Sequence, residues 1–445
     1  MFPRFVRQVR LRAVPGAVPK IASVERRGRR GAASRSSRPW LSLRAQDERE
    51  PQRTFRKRSE AARPSGSPTR TRSRRAKTAA RYGRAIDRIR TFRAPGRVNL
   101  IGEYTDLAGG LVLPAALELG VTIEARRGDT IRLTSRERPG DVNVAADGSP
   151  VGAAPSGWGR YVAAVAVELD ALGRPPVGLD GEVSSTLPIG TGLSSSAALE
   201  VAVAVALAAV SEWEVQPLEL AQAAQRAELR AVGVPCGIMD QAASLLGRAG
   251  HLLLLDTRLL EYEHVPFPER LALVIVDSAV SRRLEHSAYG ERRAELETAL
   301  TALDGRPLDD ADPDALALDP VQARRLRHVV TDHARVRETV ALLRDPTDAS
   351  LARLGDVFRA GQQSLRDDLD VTVPEMDLLV DLAYEHGALA ARMTGGGFGG
   401  SIVALAAADE AQRVAAATRA AYEERTGRRA ASVVSRPAAG AGEVP

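Results

Sequence analysis

The chain has 445 residues, with 62 Lys+Arg against 56 Asp+Glu, a formal net charge of +6 and 44% apolar residues, enough to bury a substantial core. A single cysteine, Cys236, excludes an internal disulfide and a cysteine-based metal cluster. The lysines lie only at Lys20, Lys57 and Lys77, so no later segment can supply the lysine of a Walker A loop, which excludes a P-loop NTPase and a lysine-dependent protein kinase.

The charge is unevenly placed. Residues 1–90 hold 27 of the basic and 6 of the acidic residues, leaving 35 basic against 50 acidic in the remainder. Arg, Ser, Pro and Ala dominate this leader without an apolar period, so residues 1–80 are expected to be disordered. A nucleic-acid-binding tail, a transit peptide and translation from a start upstream of the true one all fit that composition. The abrupt onset of pattern near Ala79 favours the last, and no nucleic acid is expected for the body. No stretch is apolar and long enough for a membrane span and no secretory signal is visible, so a cytoplasmic monomer without a membrane partner is expected.

The body opens with RAPGRVNLIGEYTDLAGGLVLPAALELGVTIEARR, residues 93–127. Val98, Leu100 and Leu111 to Leu113 read as strand, and Val121, Ile123 and Ala125 alternate with polar partners. The loop between carries Arg97, Asn99, Glu103, Tyr104, Thr105 and Asp106, which suits either a polyol ligand or a hairpin with a charged tip. Thr130 to Ala146 continues as strands and turns, Trp158 to Leu172 as an amphipathic helix, and Leu179 to Ser185 as a strand.

That strand feeds PIGTGLSSSAA, residues 188–198. Gly190 and Gly192 flank Thr191, and Ser194, Ser195 and Ser196 stand as N-cap and first-turn residues of an Ala/Val/Leu helix running to Val210. Free N–H groups and hydroxyls at a helix start can hold an anion, although a Gly-rich turn before a helix is also an ordinary turn. A second helix, Leu218 to Val232, opens on Pro217 and carries Glu228 near its C-terminal end, where the dipole disfavours a carboxylate. Glu228 is either solvated or compensated by a cation. In VPCGIMDQ, residues 234–241, Asp240 among apolar neighbours is either a functional acid or the cap of a helix over Ala242 to Leu246.

His251 to Leu255 and Leu271 to Val276 read as buried strands, and Tyr289 stands near the start of a charged helix, where packing is the ordinary role. Helices over Val321 to Leu343 and Ser350 to Ser364 precede ARMTGGGFGGSIVALA, residues 391–406, a five-glycine loop around Phe398 followed by a strand. The glycines let this loop lie against another backbone or a phosphate.

Four of these stretches, in this order, resemble the GHMP small-molecule kinases, and within them the galactokinase family. GRVNLIGEYTDLAGG looks like the galactokinase signature, PIGTGLSSSAA the superfamily phosphate loop, VPCGIMDQ the loop of the catalytic aspartate, and MTGGGFGG the third motif; HSAYGERR and SLRDD extend the likeness across about Thr91 to Ser435. The resemblance implies an α+β, two-domain fold: a ribosomal protein S5 domain 2-like N-terminal domain (81–270) binding sugar and ATP, a ferredoxin-like C-terminal domain (271–436), and a flexible tail (437–445). It further implies that Gly190, Thr191, Gly192, Leu193, Ser194, Ser195 and Ser196 wrap the phosphates of ATP and that Ser196 and Glu228 hold Mg²⁺. Asp240 would be the base facing the anomeric hydroxyl, with Arg97 beside it. Glu103, Tyr104, Thr105, Asp106 and Tyr289 would contact the sugar.

The implied reaction is ATP-dependent phosphorylation of D-galactose to α-D-galactose 1-phosphate. The family usually reads Gly-Glu-His-Thr-Asp-Tyr-Asn where this chain has Tyr104, Leu107 and Ala108 in place of the His, Tyr and Asn. Those changes fall on the sugar side, which leaves another sugar, such as L-arabinose or an amino sugar, as an alternative substrate. A catalytically silent sugar sensor is the alternative from another class, opposed by the presence of Arg97, Ser196, Glu228 and Asp240 together.

Overall fold

The computed structural model describes residues 88–188, 190–233, 235–280 and 285–445. The leader expected to be disordered over 1–80 lies outside them.

The first half of the chain supplies β1 (Arg90–Asn99), β2 (Leu111–Val112), β3 (Pro114–Gly128), β4 (Thr130–Ser135), β5 (Val142–Ala145), helix α1 (Gly159–Ala171) and β6 (Gly178–Ser185). In β3 the side chains of Val121, Ile123 and Ala125 go to the core while Glu124 and Arg126 face solvent, the period-two pattern visible in the sequence. Helices α2 (Ser195–Val210), α3 (Pro217–Val232) and α4 (Met239–Leu246) cover this layer. Helix α2 is apolar apart from Glu200 and its first-turn serines and is buried along nearly its whole length, so it forms the centre of the lobe and presents its N-terminus at the lobe's edge.

Strands β7 (His251–Asp256) and β8 (Glu261–Pro266) form a hairpin that adds to β2 as a small third sheet. The second half begins with β9 (Leu271–Asp277) and continues through α5 (Glu285–Thr301), α6 (Pro320–Arg344), α7 (Asp348–Ser364), α8 (Pro374–Glu385), β10 (Ala390–Met393), β11 (Ser401–Ala407), α9 (Ala411–Thr426) and β12 (Ala431–Ser435). Its four strands lie in the order β10-β11-β9-β12, all antiparallel, a β-α-β-β-α-β path of ferredoxin-like type. The continuous apolar run in β9 follows from burial on both faces. Leu271, Leu273 and Ile275 join the large core shared with the first lobe, whereas Ala272, Val274 and Val276 pack under α8 and α9.

The tail differs from expectation. Gly442–Val444 is a strand, β13, that pairs antiparallel with β1 through Thr91 and Val444, and the Arg90–Glu443 ion pair at 2.7 Å fixes it there. It closes the edge that β1 would otherwise expose, giving a six-stranded sheet of order β13-β1-β3-β6-β4-β5 in which only β4 and β6 run parallel. The first lobe is thus completed by the last residues of the chain. No helix among the described residues is long and apolar enough to cross a membrane.

Candidate active site

The connection from β1 to β2 and the start of α2 converge on a cavity of about 770 Å³, reached also by α4 and by the glycine loop before β11. Arg97 projects from the end of β1. Its Nε and Nη2 donate to the two carboxylate oxygens of Asp240 at 2.7 and 2.9 Å, and its Nη1 donates to the Gly192 carbonyl at 2.7 Å. The backbone N–H of Arg97 donates to the Leu193 carbonyl, so this one residue ties β1 to the loop that precedes α2 and to α4. Asp240 lies in the first turn of α4, but its side chain does not cap the helix. It is spent on Arg97 and on the Ser194 hydroxyl, so the capping alternative left open by the sequence does not hold.

Ser194 is the N-cap of α2 by position, yet it adopts a left-handed backbone (φ 58°) and its hydroxyl donates to Asp240 instead of accepting from the helix. The first N–H groups of α2 therefore remain directed at the cavity. Gly190, Gly192, Leu193, Ser194, Ser195 and Ser196 line it. Thr191 does not. Its hydroxyl donates to the Pro188 carbonyl and its own carbonyl accepts from Ser401 Oγ at 2.7 Å, so it anchors the loop to the second lobe instead of facing a ligand.

Glu228 is not a solvated surface acid. Its Oε1 accepts from Ser196 Oγ at 2.8 Å and its Oε2 from Gln241 Nε2 at 2.7 Å. Burial and the negative charge of Asp240 push its carboxyl upward from the ordinary value, the condition that a cation relieves. A hydroxyl and a carboxylate oxygen side by side at a helix start suit a hard divalent cation that draws its other ligands from phosphate and water. Among the described residues no group of three or more His, Cys, Asp or Glu forms a metal cage.

The same cavity is lined by Glu103, Tyr104, Asp106 and Tyr289. Asp106 fits because residue 237 is glycine, since a Cβ there would collide with the Asp106 carboxylate. Burial, then the charge of Asp240, raises its carboxyl to about 6. Ionised, the Asp106 carboxylate offers both oxygens as acceptors, whereas protonation turns one of them into a donor, so if it serves ligand hydroxyls the sugar KM should rise as pH falls through about 6. Asp106→Asn should remove that acid limb from a kcat/KM profile while lowering its plateau.

Thr105 is a correction. It is fully buried, and its hydroxyl serves the Gly102 and Leu111 carbonyls at 2.7 and 2.6 Å, which shapes the loop without reaching the cavity. Glu103 is also more constrained than the sequence suggested. It is 1% exposed and lies 2.8 Å from the guanidinium of Arg392, which is wholly buried and also pairs with Asp332 at 3.0 Å. Burial raises the Glu103 carboxyl to about 7 despite that cation. Arg392 escaped the sequence reading although a signal existed: an arginine inside the apolar strand β10 must be paired to be buried.

A second cavity, of about 670 Å³, adjoins the first and shares Tyr161, Ser195 and Ser196 with it. Trp158, Leu187, Pro188 and Leu199 give it an apolar, partly aromatic lining. The aromatic pair at the start of α1 was legible in the sequence only as the face of an amphipathic helix.

The sequence matches the GHMP kinases N terminal domain over residues 160–248, the GHMP kinases C terminal domain over 340–424 and the galactokinase galactose-binding signature over 79–127. A solved Lactococcus lactis galactokinase complexed with galactose is 33% identical, covering 83% of this chain and 99% of its own at a TM-score of 0.74. This chain belongs to the galactokinase family of the GHMP kinases. Mevalonate kinases from Methanococcus jannaschii (17% identity, 79% of this chain and 99% of that one, TM-score 0.58) and L. major (21%, 78% and 96%, TM-score 0.54) share the fold.

Against the galactokinase pattern, Tyr104 is the visible departure, and the structure revises its role. Tyr104 has a left-handed backbone (φ 64°), its hydroxyl donates to the Gly396 carbonyl at 2.8 Å, and its ring packs on Tyr289 at 5.4 Å. Its proton is thus given to the glycine loop. Leu107 and Ala108 pack against the same cluster as Tyr104, so the three departures share one set of apolar neighbours. Tyr104→His alone should weaken galactose binding by roughly 1 kcal/mol or more, since it loses the Gly396 bond and leaves space. The triple reversion, with Leu107→Tyr and Ala108→Asn, should recover it. Titration of galactose into the single and triple variants measures the coupling, and tighter binding by the single variant would refute it.

Proposed function

We propose that this galactokinase transfers the γ-phosphoryl group of ATP to the anomeric hydroxyl of D-galactose, giving α-D-galactose 1-phosphate and ADP. The observation that carries the reading is the bidentate Arg97–Asp240 pair, set in a cavity wall between the sugar-facing acids and the N-terminus of α2. Asp240 accepts the hydrogen bond of the anomeric hydroxyl and takes its proton as the new P–O bond forms and the bond to the β-phosphate breaks. Arg97 holds that carboxylate in place and offers positive charge to the transferring group. The α2 N-terminus and the loop from Gly190 to Ser196, with Thr191 as its anchor, bind the phosphates, while the adjoining cavity beside Trp158 and Tyr161 takes the adenine. Ser196 and Glu228 would hold Mg²⁺, which when bound neutralises phosphate charge.

In this reading Glu103, Asp106 and Tyr289 orient the sugar, Tyr104 ties the loop that carries Glu103 and Asp106 to the glycine loop at Gly396 and packs on Tyr289, and the N-terminal domain supplies most of the ligand contacts. Purified protein with ATP, Mg²⁺ and a panel of D-galactose, L-arabinose, D-galactosamine and D-glucose tests it by coupled ADP release. Galactose is expected to give the highest kcat/KM. Turnover of another sugar with none of galactose would overturn the assignment.

A further inference from the structure

Helix α2 is composed of Ala, Val, Leu and Ser except at Glu200, an acid wholly buried within it. Burying a carboxyl in such surroundings is unfavourable, and nothing in the packing of α2 requires one. Its Oε2 accepts from Gln241 Nε2 at 3.0 Å, and the same amide nitrogen donates to Glu228 Oε2 at 2.7 Å. Gln241 is also wholly buried and follows Asp240 directly on α4. One amide NH₂ therefore spans two carboxylates and spends both hydrogens on them.

This bridge has a direction. If the amide turned over, its oxygen would face both acids, so by taking the second hydrogen Glu200 fixes which way Gln241 points. Gln241 in turn holds Glu228 Oε2 from behind, with Cys236 Sγ at 3.4 Å, and leaves Glu228 Oε1 beside Ser196 Oγ at the cavity. The geometry points to Glu200 and Gln241 as positioning residues that select which oxygen of Glu228 is presented to the divalent cation of a bound nucleotide. This inference rests on the proposed roles of Ser196 and Glu228.

Calorimetric titration of a non-hydrolysable ATP analogue into the full chain, with Mg²⁺ and with EDTA, gives the gain in affinity due to the cation. Glu200→Leu should reduce that gain about tenfold, the usual scale for the loss of an outer partner of a metal ligand. It should raise the Mg²⁺ concentration for half-maximal rate by a similar factor and leave the galactose KM unchanged. Glu200→Gln, which keeps an oxygen to accept from Gln241, should restore most of the gain. Replacing Glu200 by Leu removes the cost of burying the acid but leaves one Gln241 N–H without its acceptor, two effects of opposite sign, so the Glu200→Leu melting temperature is expected near that of the parent. A Glu200→Leu protein that keeps the full Mg²⁺ gain would overturn the proposal. So would one that fails to fold, because the acid would then serve the core. Glu228→Gln separates the two levels: if it retains the gain, the cation site itself is wrong, whereas if it loses the gain and Glu200→Leu does not, only the positioning role falls.

Discussion

Asp240→Asn is expected to lower kcat by about 10³-fold, roughly 4 kcal/mol of transition-state stabilisation, while galactose binds with nearly its original affinity. The asparagine preserves size and one acceptor but cannot take the proton released as the phosphoryl group transfers. Arg97→Ala should cost a similar amount, because it removes positive charge and frees the Asp240 carboxylate from both bonds that orient it. Since the two side chains act as one bidentate unit, the double variant should be little worse than either single one. Steady-state rates for the three variants, with galactose affinity measured separately, check this. Additive losses in the double variant would mean that Arg97 and Asp240 contribute independently, and a near-parental rate in Asp240→Asn would remove it from proton transfer.

The elements of this site were readable in the sequence where one local pattern dictated them. The serine-rich start of α2, the first-turn proline of α3 and the period-two alternation of β3 are near-neighbour effects; the two helices formed within a residue or two of their expected places, whereas β3 extends well beyond the alternating stretch on its N-terminal side. Tertiary partners were not readable from such patterns. Thr105 and Thr191 carry hydroxyls in stretches rich in ligand groups, but only the folded chain shows those hydroxyls satisfying backbone carbonyls. The tail after residue 437 carries little apolar periodicity, and its order comes from the open edge of β1, more than 350 positions earlier. Glu200 illustrates the same limit. A lone acid in an apolar helix signals a buried partner without saying which one, and Gln241 lies on a separate helix.

Arg392→Met should destabilise the fold by roughly 3–5 kcal/mol at neutral pH, the range expected when one partner of a buried charge cluster is removed. The guanidinium lies against α7 where residue 361 is glycine, pairs with Asp332 through Nη1 and Nη2 at 3.2 and 3.0 Å, and approaches Glu103 at 2.8 Å. Asp332 also receives the Gly102 N–H and retains Arg335 at 3.2 Å, so the substitution leaves Glu103 the more exposed of the two acids to an uncompensated burial. The sign of the pH dependence follows from the two carboxyls. For Asp332, burial alone would raise the value, but Arg392 holds it at about 2, below the ordinary 3.8, so its stabilisation is present above 3.8 and lost as pH falls toward 2. For Glu103 the value is already raised from 4.5 to about 7, so its contribution is full below 4.5 and lost as pH rises through 7. Removing Arg392 raises both folded-state values further while the unfolded values stay fixed. The deficit should therefore shrink at pH 5, where protonation removes the uncompensated charges, and widen toward pH 8. Urea unfolding of parent and variant at the two pH values measures it, and a deficit that is the same at both would assign the loss to packing volume instead of charge. Galactose affinity provides an independent readout, because Glu103 without its cation no longer holds its place in the sugar-facing wall, and a variant that binds galactose as the parent does would dissociate Arg392 from the organisation of that wall.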